Sequence, residues 1–122
     1  MGAMKERTPM IISGDLHALA KGKMLRSGSH SFEANPIHTI ISGPPGTGGA
    51  WPSRVRGVLP SVPSHLDFEE EMKPIEENGF MLVDFDKEKT VLRFFKWDIE
   101  TQSPEEIDTI EPFHTEEIPK PA

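Results

Sequence analysis

The sequence contains no cysteine, which excludes disulfides and thiolate metal sites. Any metal held here must use imidazole, carboxylate, carbonyl or water ligands, and the redox compartment is left open. No apolar run approaches the ~18–20 residues needed to span a bilayer, so no membrane partner is expected. The opening Met1-Gly2-Ala3-Met4-Lys5-Glu6-Arg7-Thr8-Pro9 lacks the apolar centre of a secretory signal. The chain as written therefore reads as cytoplasmic, an expectation that lapses if the reading frame opens further upstream.

Apolar residues are also scarce. They make up 35 % of 122 residues, short of the usual ~45–50 % even with glycine counted, while prolines number 12 and glycines 10. A thin core with many turns and few long helices follows, as in a strand-rich piece or part of a larger domain. The net charge of −7 is unevenly spread: residues 1–64 carry seven Lys+Arg against three Asp+Glu, and residues 65–122 carry six against seventeen. The mild positive bias of the first half is no basic stripe with interleaved aromatics, so nucleic-acid binding is not expected. The acidic second half reads as solvated surface and tail.

Along the chain, Met10-Ile11-Ile12-Ser13 is a short apolar run that predicts a buried strand ending at Gly14-Asp15-Leu16-His17. Residues 18–26 fit either a helical turn or a second strand. Pro36 to Ser42 predicts another strand, stopped by Gly43-Pro44-Pro45-Gly46, and the Gly/Pro/Ser-dense stretch from Gly43 to Ser64 predicts a long loop. The clearest element is a β-hairpin at about residues 80–97, Phe80–Phe85 and Thr90–Trp97 around Asp86-Lys87-Glu88-Lys89. Its strands are apolar on both faces, which normally means cover on both faces, and the chain has little material to supply it. After Trp97 the sequence is acidic and proline-punctuated, so residues 99–122 are expected as a disordered tail following a domain portion at 1–98.

Asp15-Leu16-His17 carries the main chemical suggestion. Residues i and i+2 of a strand point to one side, so a carboxylate and an imidazole can converge on a point past the strand end. Divalent metals accept that mixed pair, and two-metal sites use it to bind phosphate and activate water. Alternatively, Asp15 caps the following turn and His17 is a satisfied polar residue. His38 sits inside a strand and reads as a packed or surface histidine rather than a ligand; His114 falls in the tail. Gly43-Pro44-Pro45-Gly46-Thr47-Gly48-Gly49-Ala50 invites a nucleotide-binding reading. Yet Gly49 stands where a phosphate-binding loop has lysine, Ala50 where it has a magnesium-holding hydroxyl, and Trp51-Pro52-Ser53 breaks the helix such a loop needs. Arg54 and Arg56 read as a solvated pair.

The stretch Pro9 to Ala18 resembles the last metal-binding segment of calcineurin-like metallophosphoesterases, especially the PhoD-like branch, where Gly-Asp-x-His is common. The resemblance continues in order through Arg26-Ser27-Gly28, Ala34-Asn35-Pro36, Ser42-Gly43-Pro44, Gly46-Thr47-Gly48, Trp51-Pro52-Ser53, Glu77-Asn78-Gly79-Phe80 and the hairpin to Trp97. It implies an α+β, mainly β fold, the C-terminal part of an αββα sandwich, and metal-dependent hydrolysis of a phosphate ester at a site of two divalent cations. His17 matches the terminal ligand histidine. Asp15 takes the place of the preceding histidine and is open between a direct ligand, a hydrogen-bond partner orienting His17, and neither. The family's earlier segments, an Asp-x-His, a Gly-Asp-x-x-Asp, a Gly-Asn-His-Asp/Glu and a further histidine, have no counterpart upstream of Met10. The expectation is thus a C-terminal fragment without catalytic residues of its own, inactive alone and completed by a missing N-terminal half. The rivals are a non-catalytic β module that pairs with a partner chain and, more remotely, a nucleotide binder through residues 43–50.

Overall fold

The computed structural model describes residues 6–14, 18–45, 63–75 and 77–121. Those residues are mainly β, in eight strands: β1 (Met10–Ser13), β2 (Leu19–Ser27), β3 (His30–Ser31), β4 (Ile37–Ser42), β5 (Leu66–Ile75), β6 (Gly79–Phe85), β7 (Lys89–Lys96) and β8 (His114–Pro119). The helical element described is a 3-10 turn at Pro104–Thr109. β2 organises a five-stranded sheet: β4, β3 and β5 all pair with it antiparallel, and β1 joins the outer side of β4 in parallel. The other sheet is the antiparallel set β6-β7-β8.

One apolar core joins the two sheets. Leu19, Ile40 and Met72 from the larger sheet meet Leu92, Phe94 and Ile118 from the smaller, with Met10, Ile75, Met81, Val83 and Phe113 around them. The strands expected at Met10–Ser13 and at Pro36–Ser42 are present, but the first, expected to be buried, is an edge strand with Ile11, Ile12 and Ser13 exposed; the stretch open between helix and strand is strand β2. The hairpin is present with Val83 opposite Leu92 and Phe80 opposite Phe95, whose rings stack at 4.8 Å. Its β7 strand is buried on both faces, Thr90, Leu92 and Phe94 on one and Val91 and Phe95 on the other. The cover that the sequence appeared too short to provide is therefore supplied for β7 by this chain itself. Within the hairpin, the large apolar side chains that stay open are on β6, Leu82 at 51 % and Phe85 at 70 % exposure.

The expectation of a disordered acidic tail at 99–122 is overturned. The 3-10 turn starts where the Glu106 carboxylate accepts a hydrogen bond from Ser103 N at 2.6 Å, and β8 then pairs with β7 from His114–Phe94 to Pro119–Lys89. Acidic composition hid a period-two pattern: His114, Glu116 and Ile118 alternate with Thr115, Glu117 and Pro119. Pro119 ends an edge strand, where the missing donor costs no ladder bond. Lys89 holds Glu117 at 2.8 Å. A boundary between a domain at 1–98 and a separate tail has no counterpart in this sheet.

β5 was hidden for the same reason. Its Asp67, Glu69 and Glu71 face basic residues of β2: Arg26 pairs with Asp67 at 2.9 Å, Lys23 lies 3.7 Å from Glu69, and Lys21 bonds Glu71. Part of the charge difference between the halves of the chain is thus cross-strand complementarity. Because Ile118 is 6 % exposed inside the shared core, Ile118→Ala should cost about 2–4 kcal/mol in urea denaturation. A change below ~0.5 kcal/mol, the usual surface value, would mean that β8 does not hold the fold.

Candidate functional site

Two features stand out, one at a strand end and one beneath the core. β1 and β4 run in parallel with Ser13 beside Ile41, so their C-terminal ends leave the sheet together. Leu19, at the start of β2, lies opposite Ser42 on one side and Ile75 on the other. Pro44 O accepts a hydrogen bond from Gly79 N at 3.1 Å, and Asn78 O accepts one from Trp97 N at 2.8 Å. Segments far apart in sequence, at Ser13-Gly14, Ser42-Gly43-Pro44 and Asn78-Gly79, with Trp97, thereby gather at one end of the molecule. Leu19, fully buried, is the pivot: a Cβ on Gly43 or Gly79 would overlap its side chain, and one on Gly79 would also overlap Phe95 O. Gly43 further adopts φ +85°, a conformation that side chains disfavour.

Asp15 and His17, the sequence-predicted metal residues, lie outside the described residues, as do residues 46–50 of the glycine-rich loop and Arg54 and Arg56. What is described is the strand that leads to them. Among the described residues no group of three or more His, Asp or Glu is arranged to hold a metal ion.

The second feature escaped the sequence reading. Lys21, in the middle of β2, has a side chain with no solvent exposure. Its ammonium bonds Glu71 Oε2, lies 2.8 Å from His38 Nδ1 and donates to Glu116 Oε1 at 3.2 Å. The partners come from β5, β4 and β8, so both sheets contribute. A buried ammonium is tolerated only when paired and hydrogen-bonded, and here it stands where a bound cation would otherwise sit among the carboxylates. The signal that could have found it was β2 read as a strand: Leu19, Lys21 and Lys23 then share a face, which demands acidic partners such as Glu69-Glu70-Glu71.

The electrostatics separate the two carboxyls. Burial pushes Glu71 up, but the hydrogen bond and charge of Lys21, with help from Glu116 and Lys23, outweigh it and hold Glu71 below the usual range. Burial raises Glu116, and its hydrogen bond and attraction to Lys21 do not overcome that and the nearby Glu71 charge. The two carboxyls thus move in opposite directions, Glu71 down and Glu116 up, around the one ammonium they share. His38, left by the sequence between packed and surface, is packed at 8 % exposure; burial first and the Lys21 charge second lower it to about 4. It is neutral at pH 7, and because Nδ1 accepts from Lys21 its proton sits on Nε2.

Compared with known proteins, the chain matches no protein-family model, no curated protein and no solved structure. Among the described residues no helix is long and apolar enough to cross a membrane.

Lys21→Ala should cost about 3 kcal/mol or more, since it strands buried carboxyls without their cation. The pH dependence has a definite sign. An unfolded chain protonates His38 below its ordinary 6.5, whereas the folded chain resists until about 4. Stability that His38 contributes at pH 7 is therefore lost as pH falls through that window. Glu71, held low, adds a loss below its ordinary 4.5. Glu116, held high, acts oppositely and is relieved by acid. Between pH 7 and 4.5 the wild type should lose about 1–2 kcal/mol more stability than His38→Gln in urea denaturation. Parallel losses would show that His38 is not the acid-sensitive group.

Proposed function

We propose that the chain is the C-terminal part of a calcineurin-like metallophosphoesterase domain of the PhoD-like branch, hydrolysing a phosphate ester in company with segments that precede it. The carrying observation is convergence. Ser13-Gly14, Ser42-Gly43-Pro44, Asn78-Gly79 and Trp97, some of the pieces on which the resemblance rests, are scattered over the sequence yet meet at the end of the sheet that leads to residue 15, whereas Arg26-Ser27-Gly28 and Ala34-Asn35-Pro36 lie toward its other end. In open sheets with parallel strands, sites form outside the carboxyl ends of the strands, and β1 and β4 are such a pair. A mainly β, two-sheet architecture is also what the reading requires of this portion.

In this reading His17 anchors a divalent cation through its imidazole, and Asp15, two residues earlier, either shares the cation or orients the ring. A pair of such cations supplies binding for phosphate oxygens and an activated water. This chain's own part is to hold residues 15–17 at a fixed strand end, which Leu19 between Gly43 and Gly79 secures by leaving no room for the strand ends to shift. One chain segment with two donors is fewer than the three protein ligands that a catalytic cation usually takes, so the 122 residues alone are expected to be inactive.

A second reading, a non-catalytic β module that pairs with another polypeptide, draws on different observations. β7 is covered on both faces within the chain, while β1 leaves Ile11 at 53 % and Ile12 at 50 % exposure. On the outer face of the larger sheet a groove of about 380 Å³ runs along Ile11, Ala20, Gly22, Ile41 and Phe68.

The two readings are separable. A longer polypeptide that joins this chain to the Asp-x-His, Gly-Asp-x-x-Asp and Gly-Asn-His-Asp/Glu segments should hydrolyse bis(p-nitrophenyl) phosphate with manganese. There His17→Ala should lower turnover and bound metal by at least about 10-fold, and the isolated 122 residues should show neither. Unchanged turnover and metal content in His17→Ala would remove the metal role. Cooperative metal-independent folding of the isolated chain, with no activity gained on joining those segments, would favour the interaction module.

A further inference from the structure

One buried lysine meeting two carboxyls is more than an ion pair requires. Lys21 and Glu71 already offset each other in charge, and both belong to the larger sheet. Glu116 is the additional acid. It comes from β8 in the smaller sheet, 95 residues further along the chain, and reaches across to the same nitrogen. Lys21 Nζ donates to Glu116 Oε1 at 3.2 Å and lies 3.0 Å from Oε2. A nitrogen placed so evenly between two oxygens has the carbon they share about 3–3.5 Å away, the separation of a near-attack arrangement.

The surroundings suit a condensation at that carbon. The Lys21 side chain has no solvent exposure, and a site closed to water protects such a bond from hydrolysis. Burial raises Glu116 and so favours its neutral form, the one in which a carboxyl can lose an oxygen as water. Burial pushes Glu71 up as well, but the Lys21 hydrogen bond and charge outweigh it and keep Glu71 ionised. An ionised carboxylate against the ammonium is the base that a lysine needs before its nitrogen can attack. His38 Nδ1, 2.8 Å from Nζ, aims the nitrogen from a third side.

We propose that Lys21 and Glu116 condense into an intramolecular amide that joins the two sheets covalently. Glu71 takes one proton from the ammonium, the freed electron pair of Nζ attacks Glu116 Cδ, and the C–OH bond of that carboxyl breaks. The hydroxyl leaves with a second proton from the nitrogen, as water, and the third stays as the amide N–H. Charge balances: one ammonium and one carboxylate become an amide and a neutral Glu71, which can donate to the new amide oxygen. A cavity of about 280 Å³ bordered by His38, Glu71 and Glu116 adjoins the cluster and can take up the water. The bond anchors β8, an edge strand paired with β7 alone, and it owes nothing to the phosphoesterase reading.

The full 122-residue chain is held folded at pH 7, then unfolded in urea and weighed by mass spectrometry. Expected are a mass lower by one water, faster migration on a denaturing gel, and a branched peptide joining Lys21 to Glu116 after proteolysis. Glu71→Gln keeps a hydrogen-bonding side chain but accepts no proton, and should form the link at least about 100-fold more slowly. Lys21→Arg keeps the positive charge and should keep its full mass. Wild type held in urea throughout should also keep it, because the two residues meet only in the fold. A full mass in the folded wild type overturns the proposal, whether or not a variant fails to fold. So does water lost equally fast in urea, a branched peptide joining Lys21 to Glu71, or a Glu71→Gln chain that links at the wild-type rate.

Discussion

The burial of one ammonium group constrains everything around it. Lys21 sits with its side chain sealed from solvent between two sheets, and a charge in that position must find compensation from every side. It finds Glu71 on β5, His38 on β4 and Glu116 on β8. That requirement couples register across four strands: slipping β2, β4, β5 or β8 by one residue would turn its member of the cluster to the opposite face. The apolar core, with Leu19 and Ile40 on the larger sheet and Leu92, Phe94 and Ile118 on the smaller, supplies the cohesion. The polar cluster selects one arrangement of the sheets from those that would bury similar area, which is the best-attested use of a buried ionic group.

The same constraint explains how a thin core suffices. With 35 % apolar residues, the chain covers itself by drawing its acidic C-terminal stretch into the smaller sheet. Glu116 reaches inward to Lys21, Glu117 reaches outward to Lys89, and Ile118, next along the strand, fills the core. The outward pair is exposed and contributes little, while the inward contact and Ile118 are buried and carry the attachment. What composition describes as a solvated tail is an edge strand with each acidic side chain spoken for.

How much of this was readable from sequence follows from which signals are local. β1, β4 and the β6-β7 hairpin announce themselves by apolar runs such as Met10-Ile11-Ile12 and Val91-Leu92-Arg93-Phe94-Phe95, bounded by Gly, Pro or a polar turn. β5 and β8 do not, because Glu69-Glu70-Glu71 and Glu116-Glu117 read as solvent-facing until a basic partner strand is known. Their partners, Lys21, Lys23 and Arg26, lie about a third of the chain away or more, and no window-based pattern can bring them together. The Lys21 site was invisible for the same reason: each member is unremarkable alone, and only the pairing of β2 with β4 and β5 makes them neighbours. The strand preceding Asp15 and His17 was legible, whereas the residues themselves fall outside those described.

Two neighbouring positions on one face of β2 serve different purposes. At its start, Leu19 is locked between Gly43 and Gly79, where an added Cβ would overlap it; this end is tuned for exclusion of space and fixes where β1 and β4 release their loops. Two residues further on, Lys21 is held by polar contacts that each tolerate some movement, and it lies beside an open cavity rather than a filled one. Close packing gives positional precision, and polar networks give responsiveness to protons and ligands. A single strand thus transmits the rigidity of one region to the other. Between them the sheet is not uniform: Leu19 and Lys21 are paired with both β4 and β5, whereas Ala20 is paired with Ile41 of β4 and sits at a register shift toward β5.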